Sequence, residues 1–210
     1  MVLPQEIDFG LLIKKHGLAS TREFFEELTF SLLSADDPAG EYKRVRPNPG
    51  DRGRDITSGR ITKDLRVWQC KFFPDGLLEV QKGQIRSSFS DVMKKAEADR
   101  IRISEWTLCL PIDLETDEIN WFDRWAERQE TNYGLKISHV FLSDYKRMSR
   151  NYSTIFEIYF SDNPPRRLPE IPADALNNRD DFFFINRVRQ STIDPRFYKD
   201  IHTMSLTPPL

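Results

Sequence analysis

Three short segments of the chain carry side chains that together could hydrolyse a phosphodiester bond. The first has Phe25 and Glu26 in a stretch with helical spacing, the second is the glycine-rich turn at 50–56, which contains Asp55, and the third contains Gln69 and Lys71. Residues two apart on a strand point to the same face, so Gln69 and Lys71 emerge together. Asp55 belongs to the preceding strand and could lie opposite them. A carboxylate, an amide oxygen and an ammonium group would then meet at one place.

These groups match what metal-assisted hydrolysis of a phosphodiester requires. A hard divalent cation takes oxygen ligands from carboxylates and carbonyls. Such an ion polarises the phosphate and lowers the pKa of a bound water molecule. A lysine beside it can orient that water or stabilise the charge that develops on the phosphate.

Each of these residues also has a structural interpretation. Asp55 follows a glycine-rich turn and could simply cap it. Lys71 could be an ordinary lysine of an edge strand, but the aromatic residues around it predict a buried strand, in which both Lys71 and Gln69 need partners. Glu26 and Glu27 compete for one role in the site, and Glu26 is the favoured candidate.

Taken in order, the three segments resemble the Mrr-like branch of the PD-(D/E)xK nucleases, which have the restriction-endonuclease-like fold. Members combine Phe-Glu in a helix, a Gly-Asp-x-Gly-x-Asp turn and Gln-x-Lys on the next strand. The resemblance implies that Asp55 is the main metal ligand and Lys71 the catalytic lysine. It also implies that Gln69 replaces a second acidic ligand, that Glu26 is a direct or outer ligand, and that the Cys70 carbonyl binds the ion.

The function that the resemblance implies is a Mg²⁺- or Mn²⁺-dependent endonuclease acting on DNA, used as an effector in bacterial antiphage defence. Two alternatives stay open: a module of the same fold that binds nucleic acid or assembles with weak catalysis, and an RNase. Arg54 departs from the pattern, since relatives often have a small apolar residue beside the aspartate. Gln84, Arg86 and Ser88 follow the catalytic strand and could contact phosphate or cap a helix.

The elements that must position these residues alternate between helices and strands. Ser20 and Glu23 have the spacing of a capping box and predict a helix that starts at Thr21. The pattern predicts helices at 21–34, 79–98 and 115–129, and favours a helix over 145–159, with a strand still possible at 155–160. It predicts strands at 42–46, 55–57, 65–73, 106–110 and 137–142. This order predicts an α/β fold with a mixed sheet flanked by helices.

The composition sets limits on the class of protein. With 39% hydrophobic and 30% charged residues among 210, the chain is typical of a folded domain, and no apolar run is long enough to cross a membrane. We therefore expect a cytoplasmic protein with no membrane partner. The net charge is -2, but basic residues are concentrated between Lys43 and Lys71. Cys70 and Cys109 are expected to be buried and reduced, and the three histidines show no zinc spacing.

Four prolines between 163 and 172 indicate a boundary. We expect a nuclease domain at residues 1–162 and an aromatic C-terminal extension at 163–210. The extension could mediate a homo-oligomer or bind a sensor or ATPase partner, since the chain has no nucleotide-binding loop of its own. Folding of the extension back onto the nuclease domain is the alternative.

Overall fold

A five-stranded mixed sheet forms the centre of the structure, a computed structural model that describes residues 7–45, 55–59 and 64–160. The strands lie in the order β1-β2-β3-β4-β5. The pairs β1-β2 and β2-β3 are antiparallel, whereas β3-β4 and β4-β5 are parallel. Their bounds are β1 Lys43–Arg44, β2 Ile56–Gly59, β3 Asp64–Cys70, β4 Arg102–Cys109 and β5 Lys136–Val140.

Helices cover both faces of this sheet. They are α1 Phe9–Asp36, α2 Glu79–Ala98, α3 Thr116–Tyr133, α4 Leu142–Asn151 and α5 Ser153–Phe160. On one face, apolar residues of α2 and α3 pack with β3 and β4, and Phe89, Trp106 and Trp125 meet edge to face at 5.3 to 5.7 Å. On the other face, α1 packs against α4 and α5. There Tyr145 contacts the Phe25 ring and shares a 2.7 Å hydrogen bond with the Thr29 hydroxyl.

The first helix begins earlier than the sequence predicts. Asp8 caps it by accepting hydrogen bonds from the backbone N–H groups of Gly10 and Leu11. Gly17, with φ at +80° and ψ at 163°, is not helical and separates two helical segments within α1. The second segment follows Gly17 and so begins shortly before the predicted start at Thr21, whose hydroxyl donates to the Gly17 carbonyl.

The connections after β3 and β4 are joined by one carboxylate. Glu118 accepts a hydrogen bond from the Leu77 N–H at 2.6 Å, and its other oxygen accepts one from the Glu115 N–H at 2.9 Å. This arrangement satisfies N–H groups at the start of α3 and ties the two connections together. Because β3 and β4 are parallel, both connections leave from the same edge of the sheet.

The remaining predicted elements agree with the structure to different degrees. The second helix has the predicted bounds, and the 155–160 segment is helical, so the strand alternative there is wrong. The third strand ends at Cys70 and does not reach Phe73. The predicted glycine-rich turn before Asp55 and the extension at 163–210 lie outside the described residues. None of the helices that the structure describes is long and apolar enough to cross a membrane.

Candidate active site

Asp55 lies where the ladder between β2 and β3 ends. Its N–H donates to the Trp68 carbonyl at 3.3 Å, and its own carbonyl accepts from the Val45 N–H at 2.9 Å. The side-chain Oδ2 accepts a 2.7 Å hydrogen bond from the Cys70 N–H. The carboxylate therefore does have a backbone-capping role, and this role fixes it directly beside the end of β3.

Lys71 is the first residue after β3. Its N–H donates to the Cys109 carbonyl at 3.0 Å, so the backbone is still attached to β4. Burial lowers the pKa of the Lys71 ammonium, while the nearby carboxylates of Asp55 and Glu26 oppose that shift. The Lys71 side chain is half-buried, and the charges of these two carboxylates partly offset the cost of burying its ammonium group.

Glu26 reaches this place from α1. Burial and the neighbouring charge of Asp55 raise the pKa of the Glu26 carboxyl to about 7, although Arg44 and Lys71 act in the opposite direction. The Arg44 guanidinium lies 3.8 Å from Glu26 Oε2. The same guanidinium lies 3.9 Å from Glu27 Oε1, whose side chain is buried. The structure thus places Glu26 beside Asp55, and Glu27 in an ion pair next to it.

Asp55 is subject to the same competition between burial and charge. Burial raises the pKa of the Asp55 carboxyl, whereas the Cys70 N–H, Lys71 and Arg44 lower it. Two carboxyl groups with raised pKa values share a small region with two basic side chains. Buried carboxyl groups whose pKa values are shifted by burial and by nearby charges are concentrated at functional sites.

Gln69 is fully buried, with 0% of its surface exposed. Neither its amide oxygen nor its amide nitrogen has a hydrogen-bond partner within the described part of the chain. Strand alternation places it on the same face as Leu65 and Val67, which pack under α2 and α3. The structure gives no hydrogen bond from Gln69 to Glu26, Asp55 or Lys71. A buried amide without a partner is unfavourable by about 1–3 kcal/mol. Gln69 lies on the face that α2 and α3 cover, whereas α1, which carries Glu26, packs on the opposite face.

Cys70 contributes its backbone to the site and its side chain to the core. The Cys70 N–H points toward Asp55, and the carbonyl of a strand residue points to the same side as its N–H. Cys70 is paired in register with Cys109, and burial raises the pKa of the Cys70 thiol well above its usual value, with Cys109, Asp55 and Glu26 adding to the rise. Both cysteines are buried and free, as the sequence predicts.

The donor set is compatible with a hard cation. Glu26 and Asp55 offer carboxylate oxygens and Cys70 a backbone carbonyl. The Gln69 amide oxygen is also a suitable donor by its chemistry, but it is fully buried on the face that α2 and α3 cover. Across the described ranges 7–45, 55–59 and 64–160, no three His, Cys, Asp or Glu side chains are grouped for metal binding. The candidate donors include only two carboxylate side chains, and an amide or a backbone carbonyl is not counted in a group of that kind.

Compared with protein-family models, curated proteins and solved structures, the chain matches none. The arrangement of its own residues is therefore what supports an assignment of function. Sequence analysis did not single out Arg44 within the basic segment, although its guanidinium contacts Glu26 and Glu27. Its position on a strand next to that of Asp55 was the available signal. The turn residues Asp51 and Arg54 lie outside the described residues.

Proposed function

We propose that this chain is a metal-dependent endonuclease with the restriction-endonuclease-like fold, and that it hydrolyses phosphodiester bonds of DNA. One observation carries the proposal: the 2.7 Å hydrogen bond from the Cys70 N–H fixes the Asp55 carboxylate beside the end of β3, where the charge of Asp55 acts on both Glu26 and Lys71. The five-stranded mixed sheet between helices agrees with that fold. The proposal of nuclease chemistry comes from the three sequence segments, which resemble those of the Mrr-like nucleases in their residues and their order.

In this proposal Asp55 and Glu26 hold Mg²⁺ or Mn²⁺, together with the Cys70 carbonyl and the Gln69 amide oxygen. The ion, when bound, polarises the scissile phosphate and lowers the pKa of a water molecule. The Cys70 N–H orients Asp55 by its 2.7 Å hydrogen bond, so one oxygen is fixed before a ligand arrives. Gln69 has no competing partner among the residues that the structure describes.

Lys71 stabilises the negative charge that develops on the phosphate during attack. Its backbone is fixed to β4, and its ammonium is partly buried and feels the charges of Asp55 and Glu26. An ammonium in a partly buried site acts more strongly on a developing charge than one in water. Arg44 helps to hold Glu26 in place through its 3.8 Å contact, and it acts as a positioning residue.

The test is cleavage of supercoiled plasmid DNA by the full chain with Mg²⁺, with Mn²⁺ and with a chelator. We expect nicked and linear products with either metal, intact plasmid with chelator, and ends that ligase can rejoin because they carry 5'-phosphates. A single-stranded RNA of similar length serves as the second substrate. Cleavage of RNA but not DNA would support the RNase alternative, and no cleavage of either substrate would refute the proposal.

The resemblance further suggests that the nuclease serves as an effector against phage infection. A bacterial host that expresses the chain should then show fewer plaques than one that expresses the Asp55→Asn variant. Equal plaque counts in the two hosts, with both proteins produced, would argue against the defence role while leaving the nuclease activity unaffected.

A further inference from the structure

A second group of side chains lies on α2 and α3, at the edge of the sheet from which β3 leads to Lys71. Trp121 of α3 is half-buried and stacks on Trp125, with their centroids 6.1 Å apart and their planes at 10°. Two cations of α2 lie over its ring: Lys82 Nζ is 5.4 Å and Arg86 Cζ 5.9 Å from the centroid. We call Trp121, Lys82, Arg86, Arg124, Arg128, Glu79 and Glu127 the α2–α3 surface.

Two further arginines extend this surface along α3. Arg124 and Arg128 follow Trp121 at i+3 and i+7, which places all three on one stripe of the helix. Both arginines are exposed, and with Trp121 and Glu127 they line an open groove. Each Nε donates to the carbonyl four residues earlier, Arg124 to Asn120 at 2.9 Å and Arg128 to Arg124 at 3.1 Å. These bonds hold the guanidinium groups along the helix.

The charges of the α2–α3 surface favour an anionic ligand. It contains four basic side chains and two carboxylates, Glu79 and Glu127. Glu79 pairs with Lys82 at 3.2 Å and with Arg86 at 3.8 Å, yet its side chain is 77% exposed. An ion pair this exposed contributes little to stability, so a phosphate can replace the carboxylate at small cost. The aromatic ring beneath Lys82 and Arg86 keeps both cations in place.

Its location connects this surface with the candidate active site. The parallel strands β3 and β4 end at the same edge, and α2 and α3 start from there. The hydrogen bond from Leu77 to Glu118 ties the two connections together. Lys82 lies in the first turn of α2, and Trp121 in the second turn of α3. A DNA strand that binds at Lys71 can therefore continue over the basic side chains of both helices.

We propose that the α2–α3 surface binds the phosphate backbone of the DNA substrate beside the cleavage site. The proposal deepens the nuclease function and rests on it for the identity of the ligand. Backbone contacts supply affinity without reading sequence. The Trp121 ring already stacks on Trp125 and has Lys82 and Arg86 over it, so the proposed ligand of this surface is phosphate and not a stacked base.

The test measures binding to a fluorescein-labelled duplex by anisotropy, with the full chain in a chelator so that no cleavage occurs. The variant is Arg124→Gln with Arg128→Gln. The matched control is Arg102→Gln with Lys136→Gln, two exposed basic residues at the starts of β4 and β5, on the opposite edge of the sheet. Loss of two phosphate contacts should weaken binding roughly tenfold at moderate salt and flatten the log–log salt slope by about two.

The control variant should bind as the wild type does. Equal affinity and equal salt slope for the wild type and the α3 variant would overturn the proposal, as would a wild-type chain that does not bind duplex at low salt. Failure of the nuclease proposal is a separate result, because it appears as intact plasmid in the presence of metal. The α3 variant should also cleave plasmid with a raised KM and a kcat close to that of the wild type.

Discussion

Replacement of Glu26 by glutamine should stabilise the metal-free protein at alkaline pH. Burial and the charge of Asp55 raise the pKa of the Glu26 carboxyl in the folded protein to about 7, from an ordinary value of 4.5. The folded state therefore binds more protons than the unfolded state between these two values, and the stability of the wild type falls as pH rises through that window. Above pH 7 the folded protein bears the full unfavourable energy of an ionised Glu26.

The size of the effect follows from the shift. The rise in the Glu26 pKa from 4.5 to about 7 corresponds to roughly 3 kcal/mol, because one pKa unit is worth about 1.4 kcal/mol. The Glu26 side chain is 32% exposed, and solvent screening reduces that figure. We expect Glu26→Gln to raise the free energy of unfolding by about 1–2 kcal/mol at pH 8 and to change it little at pH 5. Arg44 keeps a carboxylate partner in Glu27.

Urea denaturation in a chelator at pH 5 and pH 8 measures this effect. Glu97→Gln is the matched control, because Glu97 is an exposed glutamate of α2 away from the site. The control variant should follow the wild type at both pH values. An equal stability change for Glu26→Gln at the two pH values, or a loss of stability at pH 8, would refute the reasoning that burial and Asp55 disfavour the Glu26 charge.

Three further predictions concern other positions. Gln69→Glu should keep part of the cleavage and tighten Mn²⁺ binding in a titration, whereas Gln69→Ala should lose most of both; an alanine variant that binds metal like the wild type would place Gln69 away from the ion. Gly59→Ala should lower the free energy of unfolding in urea by about 1–3 kcal/mol, because φ is +95° and a Cβ would lie 2.6 Å from the Asp64 carbonyl oxygen. Gly83→Ala should raise it by about 0.5–1 kcal/mol, because Gly83 lies inside α2, where alanine is the better helix former. A chain that ends at Asp162 should form a smaller oligomer by light scattering while it still nicks DNA; an insoluble product would show that the extension completes the core.

Hydrophobic periodicity was enough to predict the bounds of a helix that packs one face against the sheet. The second helix has the predicted bounds because Ile85, Phe89, Val92 and Ala96 recur at helical spacing and are all buried. The segment of α1 before Gly17 was not found this way, because its start depends on the Asp8 cap and it is separated from the rest of α1 by the non-helical Gly17. Periodicity and spacing do not fix where a helix begins to within a few residues.

Only part of the candidate site could likewise be predicted from the sequence. Residue types and order indicated Asp55 and Lys71, because a lysine in an apolar strand needs partners, and the structure supplies two carboxylates. The contact of Arg44 with Glu26 depends on the pairing of β1 with β2, which spacing alone does not specify. The isolation of the Gln69 amide is likewise a property of packing, since it depends on what α2 and α3 place over that face.

The central claim is that the Asp55 carboxylate is required for cleavage of DNA. Asp55→Asn tests it most directly, because asparagine can still accept the hydrogen bond from the Cys70 N–H while it removes the negative charge. We expect this variant to unfold in the same range of urea concentration as the wild type and to cleave plasmid with Mg²⁺ on the order of a hundredfold or more slowly. A folded Asp55→Asn protein that cleaves at the wild-type rate would show that the Asp55 carboxylate is not required.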